Sequence, residues 1–165
     1  MEYIIDGYNV IKNDKYAHLF ETTTLEKSRN NLLNFIYSNR PQGENPVTIV
    51  FDCRNKNPYE FDGYNISNII GMRIIFSDGQ MRADDVIVEL VENSKNPADI
   101  TVVTNDKGIK RRIGGSCAKI SSVEDFIIKG LKKNIKKPDN TAKMAEKDTN
   151  DRINKEFAEK WLNKK

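Results

Sequence analysis

Residues 2–10, EYIIDGYNV, set the frame of this chain. Tyr3-Ile4-Ile5 is a short apolar run rich in β-branched side chains, and it stops on Asp6-Gly7, a turn-forming pair. The same shape recurs downstream. Val47-Thr48-Ile49-Val50-Phe51 ends at Asp52, and Met72 to Phe76 ends near Ser77-Asp78-Gly79. Ile100 to Val103 ends at Thr104-Asn105-Asp106, and Ala118-Lys119-Ile120 makes a short fifth run. Near-continuous apolar runs, rather than strict alternation, fit strands buried on both faces of a parallel sheet.

Helical patterns lie between these runs. Leu25, Arg29, Leu32, Leu33 and Ile36 fall at helical spacing, with Thr22 to Thr24 available as caps. Ala83, Ile87, Leu90, Val91 and Ser94 give a second helix that stops before Pro97. Ser121 and Glu124 read as a capping box opening a third, from Val123 to about Lys137. Pro138-Asp139-Asn140 breaks the pattern, and a last helix from about Ala142 carries a narrow apolar stripe of Ile153, Phe157, Trp161 and Leu162. Residues 53–71 are too polar for another core strand and read as a loop. The alternation predicts a three-layer α/β fold: residues 1–137 form one domain, and 138–165 a helical extension packed on or beside it.

Composition narrows the function classes. The 165 residues suit one domain, and no apolar run approaches the roughly 20 residues of a membrane span. Glu2 and Asp6 stand where a signal peptide needs basic residues and then an apolar core. Cys53 and Cys117 are too few for a disulfide framework, and one histidine, His18, excludes a multi-histidine metal site. The expectation is a soluble cytoplasmic protein. The net charge of +3 is uneven, with 15 basic against 18 acidic residues in 1–125 and 12 against 6 in 126–165. A basic last quarter fits either a polyanionic partner or a solubilising tail.

In an open parallel sheet, sites form beyond the carboxyl ends of the strands. Asp6, Asp52 and Asp106 stand at three such ends, and Asp84 and Asp85 open the helix after the third strand. Singly, each has a structural explanation as a turn, a cap or a favourable charge at a helix N-terminus. Together they predict carboxylates converging on one edge. Such a cluster stays ionised most easily around a cation, and oxygen ligands without His or Cys select Mg²⁺ or Mn²⁺. Neighbours on a helix point about 100° apart. Asp84 therefore sits at the margin of the buried stripe, while Asp85 falls on the solvated side with Glu89 and Glu92.

Asp6-Gly7-Tyr8-Asn9-Val10-Ile11, directly after a first strand, resembles the opening motif of NYN domains, within the PIN-like nuclease class. Val50-Phe51-Asp52, Arg82-Ala83-Asp84-Asp85 and Val103-Thr104-Asn105-Asp106 follow in the order of the YacP-like branch, bacterial endoribonucleases tied to ribosomes and mRNA decay. The likeness runs across nearly the whole chain. It departs at Arg82, where a small polar residue such as threonine is expected, and in the Asn-rich stretch 55–68. The resemblance implies that Asp6, Asp84 and Asp106 hold one or two Mg²⁺ or Mn²⁺ ions, and that Asn9 orients a ligand, water or phosphate oxygen. Asp52 is implied to support a ligand or to bind a second ion; from the helix register, Asp85 either assists from behind Asp84 or is a favourable charge at the helix N-terminus. The implied reaction is in-line attack of water on an RNA phosphodiester without a covalent intermediate.

Cations supply the implied partner contacts. Lys107, Lys110, Arg111 and Arg112 follow Asp106 directly, and Arg82 precedes the paired aspartates, so all five belong beside the acidic edge. Lys129, Lys132, Lys133, Lys136 and Lys137 share roughly one helix face, which fits an RNA or ribosome contact as well as a solvated surface. Tyr59, Phe61 and Tyr64 read as a small satellite core or as stacking platforms for bases. The competing reading is a non-catalytic RNA- or ribosome-binding module of the same fold. A haloacid-dehalogenase-type phosphohydrolase is disfavoured, because Tyr8 stands where a second aspartate is needed.

Overall fold

A computed structural model describes residues 1–52, 65–69, 71–77 and 81–134. Strand β1 (Glu2–Asp6) leads into three helices, α1 (Gly7–Ile11), α2 (Ala17–Phe20) and α3 (Leu25–Asn39). Strands β2 (Val47–Phe51), β3 (Asn65–Ile69) and β4 (Met72–Phe76) follow, then α4 (Ala83–Glu92). The described chain closes with β5 (Ile100–Val103), α5 (Lys107–Ile113), β6 (Lys119–Ser121) and α6 (Val123–Asn134).

The strands form one sheet in the order β3-β4-β2-β1-β5-β6. Every pairing from β4 to β6 is parallel, and β3 alone runs antiparallel, against β4. Successive strand residues feed opposite layers. Ile5, Ile49 and Ile74 pack with Leu32, Leu33 and Ile36 of α3 and with Phe126 and Ile127 of α6. Their neighbours Ile4, Val50 and Ile75 pack with Val86, Ile87 and Val91 of α4 and with Ile109 and Ile113 of α5. This is the three-layer α/β arrangement the apolar runs predict, with a central, mostly parallel sheet. After β1 the chain builds outward through β2 to β4, then returns through α4 to lay β5 on the other side of β1. The order reverses between β1 and β5. A crevice opens at the carboxyl ends of strands at such a reversal.

Local readings are corrected or extended at five places. Part of the stretch read as a loop is the edge strand β3; its Asn- and Ser-containing sequence is tolerated because an edge strand pairs on one side only. Asp6-Gly7 is a helix entry rather than a simple turn, and Lys107 to Ile113 coil into a helix that short-range apolar spacing does not announce. The cap of α6 is shifted by one residue: the Ser122 hydroxyl accepts the Asp125 amide at 3.0 Å, which releases Glu124 for other partners. Leu25 is exposed, because the first helical residue lies ahead of the buried stripe. Thr24 caps α3 as expected, its hydroxyl accepting the Lys27 amide at 3.2 Å. Tyr59, Phe61, Tyr64, the closing helix with Trp161, and the 138–165 extension lie outside the described residues.

Candidate active site at the carboxyl edge of the sheet

Asp6 ends β1 and caps α1. Its Oδ1 accepts the Asn9 amide at 3.2 Å, and its Oδ2 accepts the Thr104 hydroxyl at 3.1 Å. Only 7% of the residue is exposed. Burial, joined by the charges of Asp84 and Asp106, pushes its pKa up to about 6 against the pull of those two hydrogen bonds. Gly7 makes the placement possible: a Cβ there would run into the ring of Phe51.

Asp106 stands just past the neighbouring strand β5 as the cap of α5, its Oδ1 accepting the Ile109 amide at 2.9 Å. The same Thr104 hydroxyl that donates to Asp6 accepts the Asp106 amide at 3.0 Å. A Cβ on Gly108 would stand 2.9 Å from Asp106 Oδ1, so glycine keeps that oxygen uncrowded. Asp84 lies in the first turn of α4. Burial and then the charge of Asp106 raise its pKa, with further contributions from Asp85 and Asp52 and opposition from Arg82. Asp52, just past β2, accepts the Ser77 hydroxyl at 2.9 Å. The charges of Asp84 and Asp106 thus reach Asp6, and those of Asp106, Asp85 and Asp52 reach Asp84.

Asp85 turns elsewhere. Arg112 Nη1 donates to its Oδ1 at 2.7 Å and holds its carboxyl below the usual range. Its Oδ2 accepts the Arg82 amide at 3.4 Å, the returning half of a capping box. Arginine has no acceptor to complete the other half, so the departure at Arg82 falls on the helix cap. Asn9 points its Oδ1 at the Asn105 amide, 2.7 Å away, which leaves its NH₂ as the end able to meet a ligand.

Sequence reasoning missed a polar clamp behind these groups. Glu124 accepts Asn13 Nδ2 at 2.6 Å and Asn105 Nδ2 at 3.0 Å, while Asn105 Oδ1 accepts the Val123 amide at 3.2 Å. Those donors hold the Glu124 carboxyl below its ordinary value, helped by Lys110. The clamp ties α1, the β5–α5 turn and the start of α6 together, fixing residues 104–106. The repeated Asn at 9, 13 and 105 was the available signal; what it joins lies up to 111 residues apart.

Of the predicted cations, Lys107 and Arg111 are exposed on α5, Arg112 is committed to Asp85, and Lys110 lies beside Glu124. Arg82 is exposed at the cap of α4. Lys132 is exposed on α6; the side chain of Lys133, and all of Lys136 and Lys137, lie outside the described residues. Among the described residues no group of three or more acidic, histidine or cysteine side chains is arranged, as it stands, to hold a metal ion. The chemistry of the donor set nonetheless suits a hard divalent cation: it is carboxylate oxygen throughout.

A family model for the YacP-like NYN domain matches residues 3–165. A crystal structure of Rae1 (YacP) from Bacillus subtilis superposes with a TM-score of 0.60 at 21% identity, over 99% of this chain and 95% of that one. A tryptophan-to-leucine variant of the same protein gives 0.63 at 20% identity, over 81% and 77%. No curated protein sequence matches.

Proposed function

The chain belongs to the YacP-like NYN domain family of the PIN-like nuclease superfamily, and we propose that it is a divalent-metal-dependent endoribonuclease. The observation that carries the reading is electrostatic: the charges of Asp84 and Asp106 reach Asp6, raised to about 6 chiefly by burial, and those of Asp106 and Asp52 reach Asp84. In this reading Asp6, Asp84 and Asp106 hold Mg²⁺ or Mn²⁺, as one or two ions, with Asp52 supporting them. A bound ion there supplies charge stabilisation to the phosphoryl oxygens and lowers the pKa of water.

The remaining work falls to the chain's own groups. Thr104 fixes Asp6 and Asp106 against each other, and the Asn9 NH₂ orients a water or phosphate oxygen. Lys107, Lys110, Arg111 and Arg82 offset the repulsion between an acidic edge and an RNA backbone. The displacement at phosphorus is in line, with water as nucleophile and no covalent intermediate. By family resemblance the substrate is mRNA, in a ribosome-associated or decay setting in the cytoplasm, and Lys132, Lys133, Lys136 and Lys137 extend the contact. The second reading, a non-catalytic RNA- or ribosome-binding module, draws on the cap roles of Asp6 and Asp106, which such a module also needs.

The test is cleavage of an end-labelled mRNA fragment by the purified chain in Mg²⁺, Mn²⁺ or EDTA, beside Asp6→Asn and Asp84→Asn. Internal cuts that vanish with EDTA and with either substitution support the nuclease. RNA bound but uncut under every condition favours the binding module, and cutting that survives Asp6→Asn ends the reading.

A further inference from the structure

One cation on the inward face of α3 has no anionic partner among the described residues. Arg29 falls on the apolar stripe of its helix, one turn ahead of the buried Leu32 and Leu33. It is half-buried, and its guanidinium lies 5.3 Å from the ring centre of Phe76, the last residue of β4. Its Nη1 donates to the Tyr8 hydroxyl at 2.8 Å, while its buried Nε has no hydrogen-bond partner. Among the described residues no carboxylate pairs with it. The cation–π contact with Phe76 uses part of that charge, but no anion among the described residues neutralises it. A charge withdrawn from water without a counter-ion is a standing cost.

The position gives that charge a use. Tyr8 follows Asp6 by two residues, and its ring packs edge-on against Phe51, which in turn stacks on Phe76. Phe51 immediately precedes Asp52, so the cluster sits at the same carboxyl edge as the acids, on the β2–β4 side of β1. Helix α5 and its cations lie on the β5 side. Lys12 adds a second cation on the Arg29 flank, 5.7 Å from the Tyr8 ring centre. A strand of RNA crossing an acidic edge needs cations on both sides of the scissile bond, because the carboxylates repel its phosphates.

Resting on the endoribonuclease reading, we propose that Arg29 binds a backbone phosphate of single-stranded RNA on the flank opposite α5. Tyr8 and Phe76 hold the guanidinium in place, and the planar fork left by the Tyr8 bond takes the phosphate oxygens. Lys12 strengthens the local potential without fixing geometry.

The test is binding of a fluorescent, unstructured oligoribonucleotide to the full chain in EDTA, by anisotropy across a KCl series. Arg29→Met should weaken binding and flatten the log–log salt slope by about 0.7, the amount for one phosphate contact on a single strand. Arg29→Lys should keep the slope but bind less tightly, since a point charge replaces the fork. Tyr8→Phe should do the same by releasing the guanidinium. Thermal melts accompany each protein; if Arg29→Met does not fold, Arg29→Gln serves as the second uncharged variant. Wild-type slope in a folded, uncharged variant, with or without a lower Tm, overturns the proposal and assigns Arg29 to packing. Wild-type protein that neither binds RNA here nor cuts it in Mg²⁺ or Mn²⁺ removes the nuclease reading as well, whereas cutting with a wild-type slope in the uncharged variant overturns only the role of Arg29.

Discussion

Replacing Asp6 by asparagine should make the protein more stable at neutral pH and slightly less stable in acid. Burial raises the Asp6 pKa from 3.8 to about 6 in the fold. Two units at 1.36 kcal/mol each set the penalty for the ionised form at about 3 kcal/mol. A folded pKa above the unfolded one means that the proton favours the folded state. The contribution is complete below pH 3.8 and is lost as pH rises through about 6. Asparagine removes that dependence at a price in hydrogen bonding. Its carbonyl keeps the Asn9 amide, but its NH₂ faces the Thr104 hydroxyl, which already accepts the Asp106 amide. The hydroxyl accepts both donors only by leaving its own hydrogen unpaired, a loss of about 1 kcal/mol. Asp6→Asn should then gain about 2 kcal/mol near pH 7.5 and lose about 1 kcal/mol near pH 4. Urea melts of both proteins in EDTA, across that range at fixed ionic strength, give the difference directly. A gap that does not change with pH would refute the desolvation argument. Mg²⁺ added at the upper pH should stabilise the native chain and not the variant, by mass action.

Asp84→Asn should abolish metal-dependent cleavage at unchanged or improved stability, because burial and then the charge of Asp106 raise the Asp84 pKa, whereas Asp85→Asn should keep cleavage and lose no more than about 1 kcal/mol with its exposed Arg112 pair. Parallel kinetics and melts separate the two, and a more damaging Asp85 substitution would reverse the assigned helix register. Gly7→Ala should destabilise by about 1–3 kcal/mol, since the new Cβ meets the buried Phe51 ring; a thermal melt reads this, and a neutral result would show that the ring can move. Glu124→Gln can keep its carbonyl for Asn13 and Asn105 at the Oε1 position but then sets its NH₂ against the Asn105 NH₂ that donated to Oε2, and should cost about 1 kcal/mol. Because the Glu124 pKa is lowered in the fold, its stabilisation is present above the ordinary glutamate value of 4.5 and is lost as pH falls through the folded value, so the variant's melts should show a flatter acid limb.

The architecture was legible because a strand buried on both faces has no freedom to alternate. Val47 to Phe51 and Ile100 to Val103 are buried throughout and read as unbroken apolar runs. β3 was not legible for the complementary reason: an edge strand makes few demands on composition, and its pairing is a backbone matter. Helix α5 was hidden by its charge, since only Ile109 and Ile113 bury apolar groups within seven residues. The Ser-Ser-Val-Glu-Asp sequence at 121–125 offers two capping registers with identical chemistry, and the choice falls to Ser122 because Glu124 finds Asn13 and Asn105. Nothing local to residues 121–125 reports those partners.

For the acids, the sequence posed a choice that the structure dissolves. Asp6 and Asp106 read either as turn and cap residues or as members of a charged site, and they are both at once. A carboxylate has two oxygens with about four lone-pair positions, and each cap consumes one position on Oδ1. The bond that ends the strand and starts the helix also immobilises the side chain, so its remaining lone pairs are aimed without further ordering entropy. Thr104 applies the same economy from the other side, donating to Asp6 while accepting from Asp106. Asp84 has no such bond, and its direction follows from helix register alone, which is why it can be placed from sequence by counting. Asp85 was excluded by the same counting, but its partner, 27 residues away in Arg112, was out of reach. Local geometry thus fixes which acids face the edge; long-range contacts decide how rigidly each one is held there.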